Sequence, residues 1–127
     1  MVPDHKVDTQ YEALIISTDA ATNQKHLNAF LSSLLKAMNK HVDVGVFKEP
    51  VDVPNVIHDP IDLKTITERV ESGICYVTVE MFVADVKRMV ATARILHGPN
   101  SMHRRCADRF EKYFDIRVNC EYIMWAL

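Results

Sequence analysis

The 127-residue sequence has few residues that interrupt regular structure and few that would cross-link the chain. It contains three glycines, five prolines, three cysteines and one tryptophan. Because the cysteine number is odd and no two are spaced as Cys-x-x-Cys, we expect free, buried thiols rather than a disulfide framework. No apolar run approaches the roughly 20 residues that a membrane-spanning helix needs. Residues 1–10 lack the apolar segment of a signal peptide, so we expect none.

The sequence also lacks an excess of charge of either sign. Fifteen Lys and Arg residues against seventeen Asp and Glu residues give a formal net charge of −2, which argues against a protein that binds nucleic acid with its whole surface. Apolar residues make up 48% of the chain and charged residues 25%, which is ordinary globular composition. The length corresponds to one domain.

What the sequence does contain is four long stretches without glycine or proline, separated by breakers at residues 45–60, at Gly73 and at Gly98-Pro99. Each stretch repeats apolar residues at intervals of three and four, which predicts four amphipathic helices. The predicted core positions are Leu27, Phe30, Leu31, Leu34, Leu35 and Met38 in the first helix, Leu63, Ile66 and Val70 in the second, Phe82, Val86, Met89, Val90 and Ala93 in the third, and Cys106, Phe110, Tyr113, Phe114, Ile116, Cys120, Ile123 and Met124 in the fourth.

Polar residues mark where these helices begin. Thr22 or Asn23, Asp62, Thr78 and Ser101 are suitable N-caps, and Gly73 is suited to end the second helix. We therefore divide the chain into an N-terminal extension over residues 1–20, with a short helix of its own, and a four-helix bundle over residues 21–127.

The connection between the first two helices, residues 41–61, is long for a compact domain, and such connections are usually functional. It is rich in valine, so we expect it to fold back and be buried on the end of the bundle. In an up-down-up-down bundle the first and third connections emerge at the same end. The long connection should therefore face the turn at residues 97–100, and a ligand pocket is expected between them.

Several strings of this sequence resemble those of bromodomains, the modules that recognise acetyl-lysine. Asp59–Ile66 resembles the family's entry to the second helix and is the most specific match. Phe47–Val51, Tyr76–Val86 and Gly98–Ser101 resemble the start of the family's long loop, the entry to its third helix and the turn before its last helix. The likeness covers about residues 24–120 and is closest to the bromodomains of histone acetyltransferases. It implies an all-α, left-handed up-down-up-down four-helix bundle.

The sequence departs from the family pattern at the pocket. The asparagine that binds the acetyl carbonyl is replaced by His97, and the aromatic residue before it by Leu96. The family's Trp-Pro-Phe shelf reads Gly-Val-Phe over residues 45–47, Pro54 lies near the position of a water-binding tyrosine, and His103 occupies the gatekeeper position. The pocket that the resemblance implies is lined by Val46, Phe47, Val51, Val56, Leu96, His97 and His103.

Two functions are consistent with this pocket. The chain is either a chromatin-associated reader of acetylated histone or other Lys-rich peptides whose binding is weakened or altered by His97, or a degenerate bromodomain that acts as an interaction scaffold for chromatin-complex proteins without binding acetyl-lysine. The resemblance implies a nuclear location in both cases. No membrane partner is expected.

Charge is distributed unevenly along the chain. Residues 43–62 contain five carboxylates and a single lysine, which favours a basic peptide, whereas residues 87–112 contain seven cationic residues and two acidic ones. The basic segment suggests a non-specific DNA contact as a further possibility, through Lys87, Arg88, Arg94, Arg104 and Arg105.

Catalysis, a metal and a cofactor are not expected. His97, His103 and Cys106 have a spacing that matches no familiar zinc pattern, and a fourth ligand is missing. The sequence has no glycine-rich phosphate loop and no nucleophile motif in a suitable context. We therefore predict a binding module that is not an enzyme.

Overall fold

Four α-helices account for most of the residues that the structure describes. The structure is a computed structural model that describes residues 9–48 and 60–126, with side chains over residues 22–48 and 60–121. The helices are α1 (Thr9–Lys40), α2 (Leu63–Ser72), α3 (Val79–Leu96) and α4 (Met102–Ala126). The described ranges contain no strand, and the predicted all-α four-helix bundle is confirmed.

Each helix packs against its neighbours around a shared apolar core. Helix α1 contacts α2, α2 contacts α3, α3 contacts α4, and α4 returns to contact α1. All of the core positions predicted for the first three helices are buried, because each helix presents its apolar stripe to the interior.

The fourth helix agrees with its predicted stripe only in part. Phe110 and Phe114 are fully buried, whereas Ile116 and Cys120 are exposed and the prediction was wrong for both. The buried face of α4 runs through Ala107, Phe110 and Phe114. Ile116 follows Phe114 by two residues, which turns its side chain about 200° around the helix axis and away from the core. The side chains of Ile123 and Met124 lie outside the described residues.

The three cysteines are unbridged, as predicted, but they are not all buried. Cys106 is half-buried, while Cys75 and Cys120 are exposed. Composition alone favoured buried thiols, but Cys75 lies in the connection between α2 and α3 and Cys120 on the outer face of α4.

Three of the predicted helix starts and the predicted stop are confirmed. The carboxylate of Asp62 accepts a hydrogen bond from the Thr65 N–H at 2.8 Å, and the Thr78 hydroxyl accepts from the Met81 N–H at 3.2 Å. The Ser101 hydroxyl accepts from the Arg104 N–H at 3.1 Å. These side chains satisfy backbone donors that the first turn of a helix leaves unpaired.

The first helix does not begin at Thr22 or Asn23, and that prediction was wrong. Helix α1 runs without interruption from Thr9 to Lys40, so the separate short helix predicted within residues 10–20 is the first part of α1. No glycine or proline lies between residues 9 and 40, and a residue that can cap a helix does not by itself end one. The division into an extension over 1–20 and a bundle over 21–127 stays a prediction.

Gly73 ends α2 in the left-handed conformation, with φ of 73°. A Cβ atom at this position would lie 3.3 Å from Nδ2 of Asn28, which donates to the Gly73 carbonyl. We expect Gly73→Ala to lower the free energy of unfolding by about 1–2 kcal/mol, because a residue with a Cβ is strained at positive φ.

Chemical denaturation followed by far-UV circular dichroism measures this loss. The matched control is Gly98→Ala, since a Cβ at Gly98 would meet no atom within 4 Å. The control should change stability by no more than about 0.5 kcal/mol. Equal losses in the two variants would contradict the explanation by backbone strain.

None of the described helices is both long enough and apolar enough to cross a bilayer.

Candidate functional site

The long connection between α1 and α2 contains a short 3-10 helix, Val44–Phe47, whose side chains Val44 and Phe47 are buried. This segment packs against α1, α3 and α4. The sequence predicted the burial of this connection but not its regular structure. The prediction was wrong for Val42, which is 89% exposed. Val51 and Val56, the two other predicted wall residues on this connection, lie outside the described residues.

Four of the predicted pocket residues line a common cavity. Val46 and Phe47 of the 3-10 helix face Leu96 and His97 at the end of α3 across a cavity of about 60 Å³. This volume is far below the roughly 300–1,000 Å³ of a drug-sized ligand site, so the cavity has room for a small group rather than a large ligand. The apolar lining is completed by Ile61, Met89 and Ala93.

Polar groups in this cavity come from Asp62, Thr92 and His97. The carboxylate of Asp62 accepts the capping hydrogen bond of α2, and the Thr92 hydroxyl donates to the Arg88 carbonyl at 3.0 Å. A neutral imidazole always carries one N–H. Among the described lining side chains, His97 is therefore the one with a donor left to offer to a ligand.

His97 is held between the end of α3 and the start of α4. Its backbone N–H donates to the Ala93 carbonyl at 3.1 Å, and its ring stacks on that of His103, with centroids 4.4 Å apart and planes 13° from parallel. His103 does not line the described cavity, but it supports the residue that does. Stacking occupies the ring faces and leaves the N–H, which lies in the ring plane, at the edge.

Asp43 and Arg109 form a contact that sequence reasoning missed. The Arg109 guanidinium donates from Nε to Oδ2 of Asp43 and from Nη2 to Oδ1, both at 2.9 Å. We counted Asp43 among the carboxylates that would attract a basic peptide, but it is only 7% exposed and is occupied by this arginine. The two residues are 66 positions apart, and no short motif links them.

This arginine contact sets the protonation state of the aspartate. The hydrogen bonds from Arg109 lower the pKa of Asp43 to about 2, against the opposing effect of burial. Burial and the neighbouring Asp43 carboxylate raise the pKa of the Cys106 thiol. Asp43 is therefore charged and Cys106 is a neutral thiol at neutral pH.

Most of the basic residues suggested for DNA contact are engaged within the protein. Lys87 pairs with Glu111 and Asp115, and Arg94 pairs with Asp108 and Glu111. Arg88 lies 3.6 Å from an Asp85 oxygen, Arg104 donates to the Arg94 carbonyl, and Arg105 is exposed. These contacts reduce the positive charge that the segment offers to a phosphate backbone.

His97, His103 and Cys106 do not converge on a metal site in the part of the chain whose side chains are described. Groups of three or more His, Cys, Asp or Glu side chains in a metal-binding arrangement are absent from it. The Cys106 sulfur instead accepts from Arg109 at 3.4 Å.

Comparison with known proteins agrees with this geometry. The bromodomain family model matches residues 31–122. Similar curated proteins include a histone acetyltransferase GCN5 from Oryza sativa subsp. japonica, 48% identical over 80% of this chain and 21% of its own length. Bromodomain-containing factor 2 of Saccharomyces cerevisiae is 29% identical over 92% of this chain and 20% of its own length. Nucleosome-remodeling factor subunit NURF301 of Drosophila melanogaster is 32% identical over 74% of this chain and 4% of its own length.

The described residues form a four-helix bundle with a cavity between its long first connection and its third. This chain belongs to the bromodomain family, and the resemblance noted in the sequence is confirmed. The chain spans about a fifth of the length of the first two relatives. By name, the first relative is a histone acetyltransferase and the third is a subunit of a nucleosome-remodeling factor.

Proposed function

We propose that this chain is a chromatin-associated reader of acetyl-lysine in which His97 replaces the usual asparagine as hydrogen-bond donor. The observation that carries the proposal is the position of His97, which lines an apolar cavity whose other described polar side chains, those of Asp62 and Thr92, are already engaged. The acetyl group of acetyl-lysine is small, apolar at its methyl and an acceptor at its carbonyl. It matches a cavity of about 60 Å³ in which the imidazole of His97 offers a donor.

The exchange of asparagine for histidine is expected to weaken or alter binding. A carboxamide offers two N–H donors and a carbonyl acceptor, whereas a neutral imidazole offers one donor and one acceptor. An imidazole N–H that reaches the ligand carbonyl less well than a carboxamide leaves this buried acceptor under-satisfied, at a cost of up to roughly 1–3 kcal/mol, or about tenfold to a hundredfold in affinity. The imidazole ring also fills more of the cavity than a carboxamide would.

The partners proposed for this module are acetylated histone or other Lys-rich peptides and the proteins of a chromatin complex, in the nucleus. Relatives whose names refer to histone acetylation and nucleosome remodelling support this assignment. We propose no enzymatic activity for this chain, because bromodomains are binding modules.

The test is a pair of titrations followed by amide chemical shifts in NMR. One histone-tail peptide is added with its central lysine acetylated and then with that lysine unmodified. We expect shifts at Val46, Phe47, Leu96 and His97 with the acetylated peptide only. The acetyl-lysine proposal fails if both peptides shift the same residues equally, or if neither shifts residues of the cavity.

The second candidate is an interaction scaffold that does not bind acetyl-lysine. It is favoured by the small cavity and by the exposed apolar side chains Ile74, Val77 and Met81 between α2 and the first turn of α3. This function predicts binding of chromatin-complex proteins that is independent of acetylation and lost in Val77→Asp, a surface change away from the cavity.

A non-specific DNA contact through Lys87, Arg88, Arg94, Arg104 and Arg105 stays a proposal as well. Its signature is binding that weakens steeply as salt is raised, because phosphate contacts release counterions. The internal ion pairs of Lys87 and Arg94 leave fewer cationic groups to contact phosphates, so a shallow salt dependence would contradict this contact.

A further inference from the structure

The cavity wall formed by the 3-10 helix is attached to α4 at both of its ends. Asp43, the residue before this helix, is held by the guanidinium fork of Arg109. Phe47, its last residue, packs on the ring of Phe110, with centroids 4.7 Å apart. The two attachment points are consecutive residues of α4, so they fix the distance and the direction of the wall together.

The backbone of Asp43 is held as well as its side chain. Its N–H donates to Nδ1 of His41 at 3.0 Å. The His41 ring lies edge-on to Phe110 at 5.6 Å and tilted on Tyr113 at 4.7 Å. A polar anchor, Arg109, and an aromatic anchor, Phe110, are therefore adjacent along α4.

Such an anchor has a physical purpose here because the 3-10 helix is only four residues long and contains a glycine. Gly45 is exposed, and a Cβ at its position would meet no atom within 4 Å. Glycine has more backbone freedom to lose than any other residue, so a turn that contains it is ordered only at a cost in entropy. A bidentate arginine–carboxylate pair fixes the relative orientation of the two groups as well as stabilising their contact. A lysine ammonium, which acts as a point charge, does not fix that orientation.

We propose that Asp43 and Arg109 are positioning residues that hold the 3-10 helix, and with it Phe47, at the wall of the cavity without touching a ligand. This role rests on the proposed function wherever ligand affinity is the measurement. The structural part, the ordering of residues 44–48, is measured without any ligand.

The charge state of the pair supports a permanent anchor rather than a switch. The folded pKa of Asp43, about 2, lies below its ordinary value of 3.8. The stabilisation is therefore complete above the ordinary value and is lost only as pH falls from about 4 towards 2. Among residues 22–48 and 60–121, the charged and titratable groups that face the carboxylate are Arg109, His41 and Cys106.

The experiment measures native-state amide hydrogen exchange in wild type, Asp43→Asn, Arg109→Gln and Arg109→Lys. The reporting amide is that of Lys48, which donates to the Gly45 carbonyl at 3.0 Å and closes the 3-10 helix. We expect about tenfold or greater acceleration at residues 44–48 in all three variants, because the local opening free energy falls. The amides of Gly73 and Met81, at the other end of the bundle, should keep their rates.

The matched control is Arg117→Gln, which removes another arginine of α4 from an ion pair, in this case with Glu121. It should leave residues 44–48 unchanged. The double variant Asp43→Asn with Arg109→Gln should exchange more slowly than Arg109→Gln alone, because the single variant leaves a buried carboxylate without its partner.

The outcomes separate this proposal from the proposed function. Unchanged exchange at residues 44–48, or equal acceleration at Gly73 and Met81, overturns the anchor. Local acceleration with no loss of acetyl-peptide affinity, in a wild type that does bind, overturns the positioning role. Local acceleration in a protein whose wild type binds no acetyl-peptide supports the anchor and contradicts the reader function.

Discussion

Replacing His97 with asparagine is expected to strengthen binding of an acetylated histone peptide by roughly tenfold to a hundredfold. The change restores a carboxamide, with two donors, at the residue that lines the cavity beside Leu96. It also removes a ring from a cavity of about 60 Å³. Isothermal titration calorimetry of the two proteins with the same peptide measures the difference.

The control for this prediction is His103→Asn. It makes the same chemical change on the other ring of the stacked pair, at a residue that does not line the described cavity. We expect no gain in affinity from it, because the new carboxamide does not face the ligand. A gain from His103→Asn equal to that from His97→Asn, or an unchanged affinity in a folded His97→Asn protein, would falsify the role assigned to His97.

Phe110→Ala is expected to have the largest effect on stability, a loss of about 3–5 kcal/mol in the free energy of unfolding. Phe110 is fully buried, and its ring contacts those of Phe47 and His41. Truncation removes the ring on which Phe47 packs. We therefore expect the 3-10 helix that forms the cavity wall to become less ordered, in addition to the loss of core packing. Chemical denaturation measures the first effect, and hydrogen exchange at residues 44–48 measures the second.

Phe82→Ala is the matched comparison, since Phe82 is also fully buried but packs on Tyr76 and Phe114. We expect a similar loss of stability with no selective opening of residues 44–48. If either alanine variant does not fold, the corresponding leucine variants give the same comparison with smaller losses. Selective opening in the Phe82 variants would show that the wall responds to core stability in general and not to Phe110.

Much of the fold was predictable because its signals are local. The cap at Asp62 depends on a hydrogen bond to a residue three positions away, and the stop at Gly73 on the conformational freedom of that residue alone. The cavity position of His97 was also predictable, through the resemblance and the common end at which alternate connections of a bundle emerge.

Other features had no local signal. Helix α1 continues through Thr22 because no glycine or proline interrupts residues 9–40, and a residue that can cap a helix does not by itself end one. The exposure of Ile116 depends on how α4 is rotated about its axis, whereas the apolar character of its side chain predicted a buried position.

The amino-acid sequence by itself determined the four helical segments, the ends of α2 and the family. Only the tertiary structure decided that Asp43 pairs with Arg109, that His97 stacks on His103, and that the cavity is small. The reason is that capping and periodicity act within a few residues. The rotation of helices and the pairing of side chains 66 positions apart are set by the packing of the whole core.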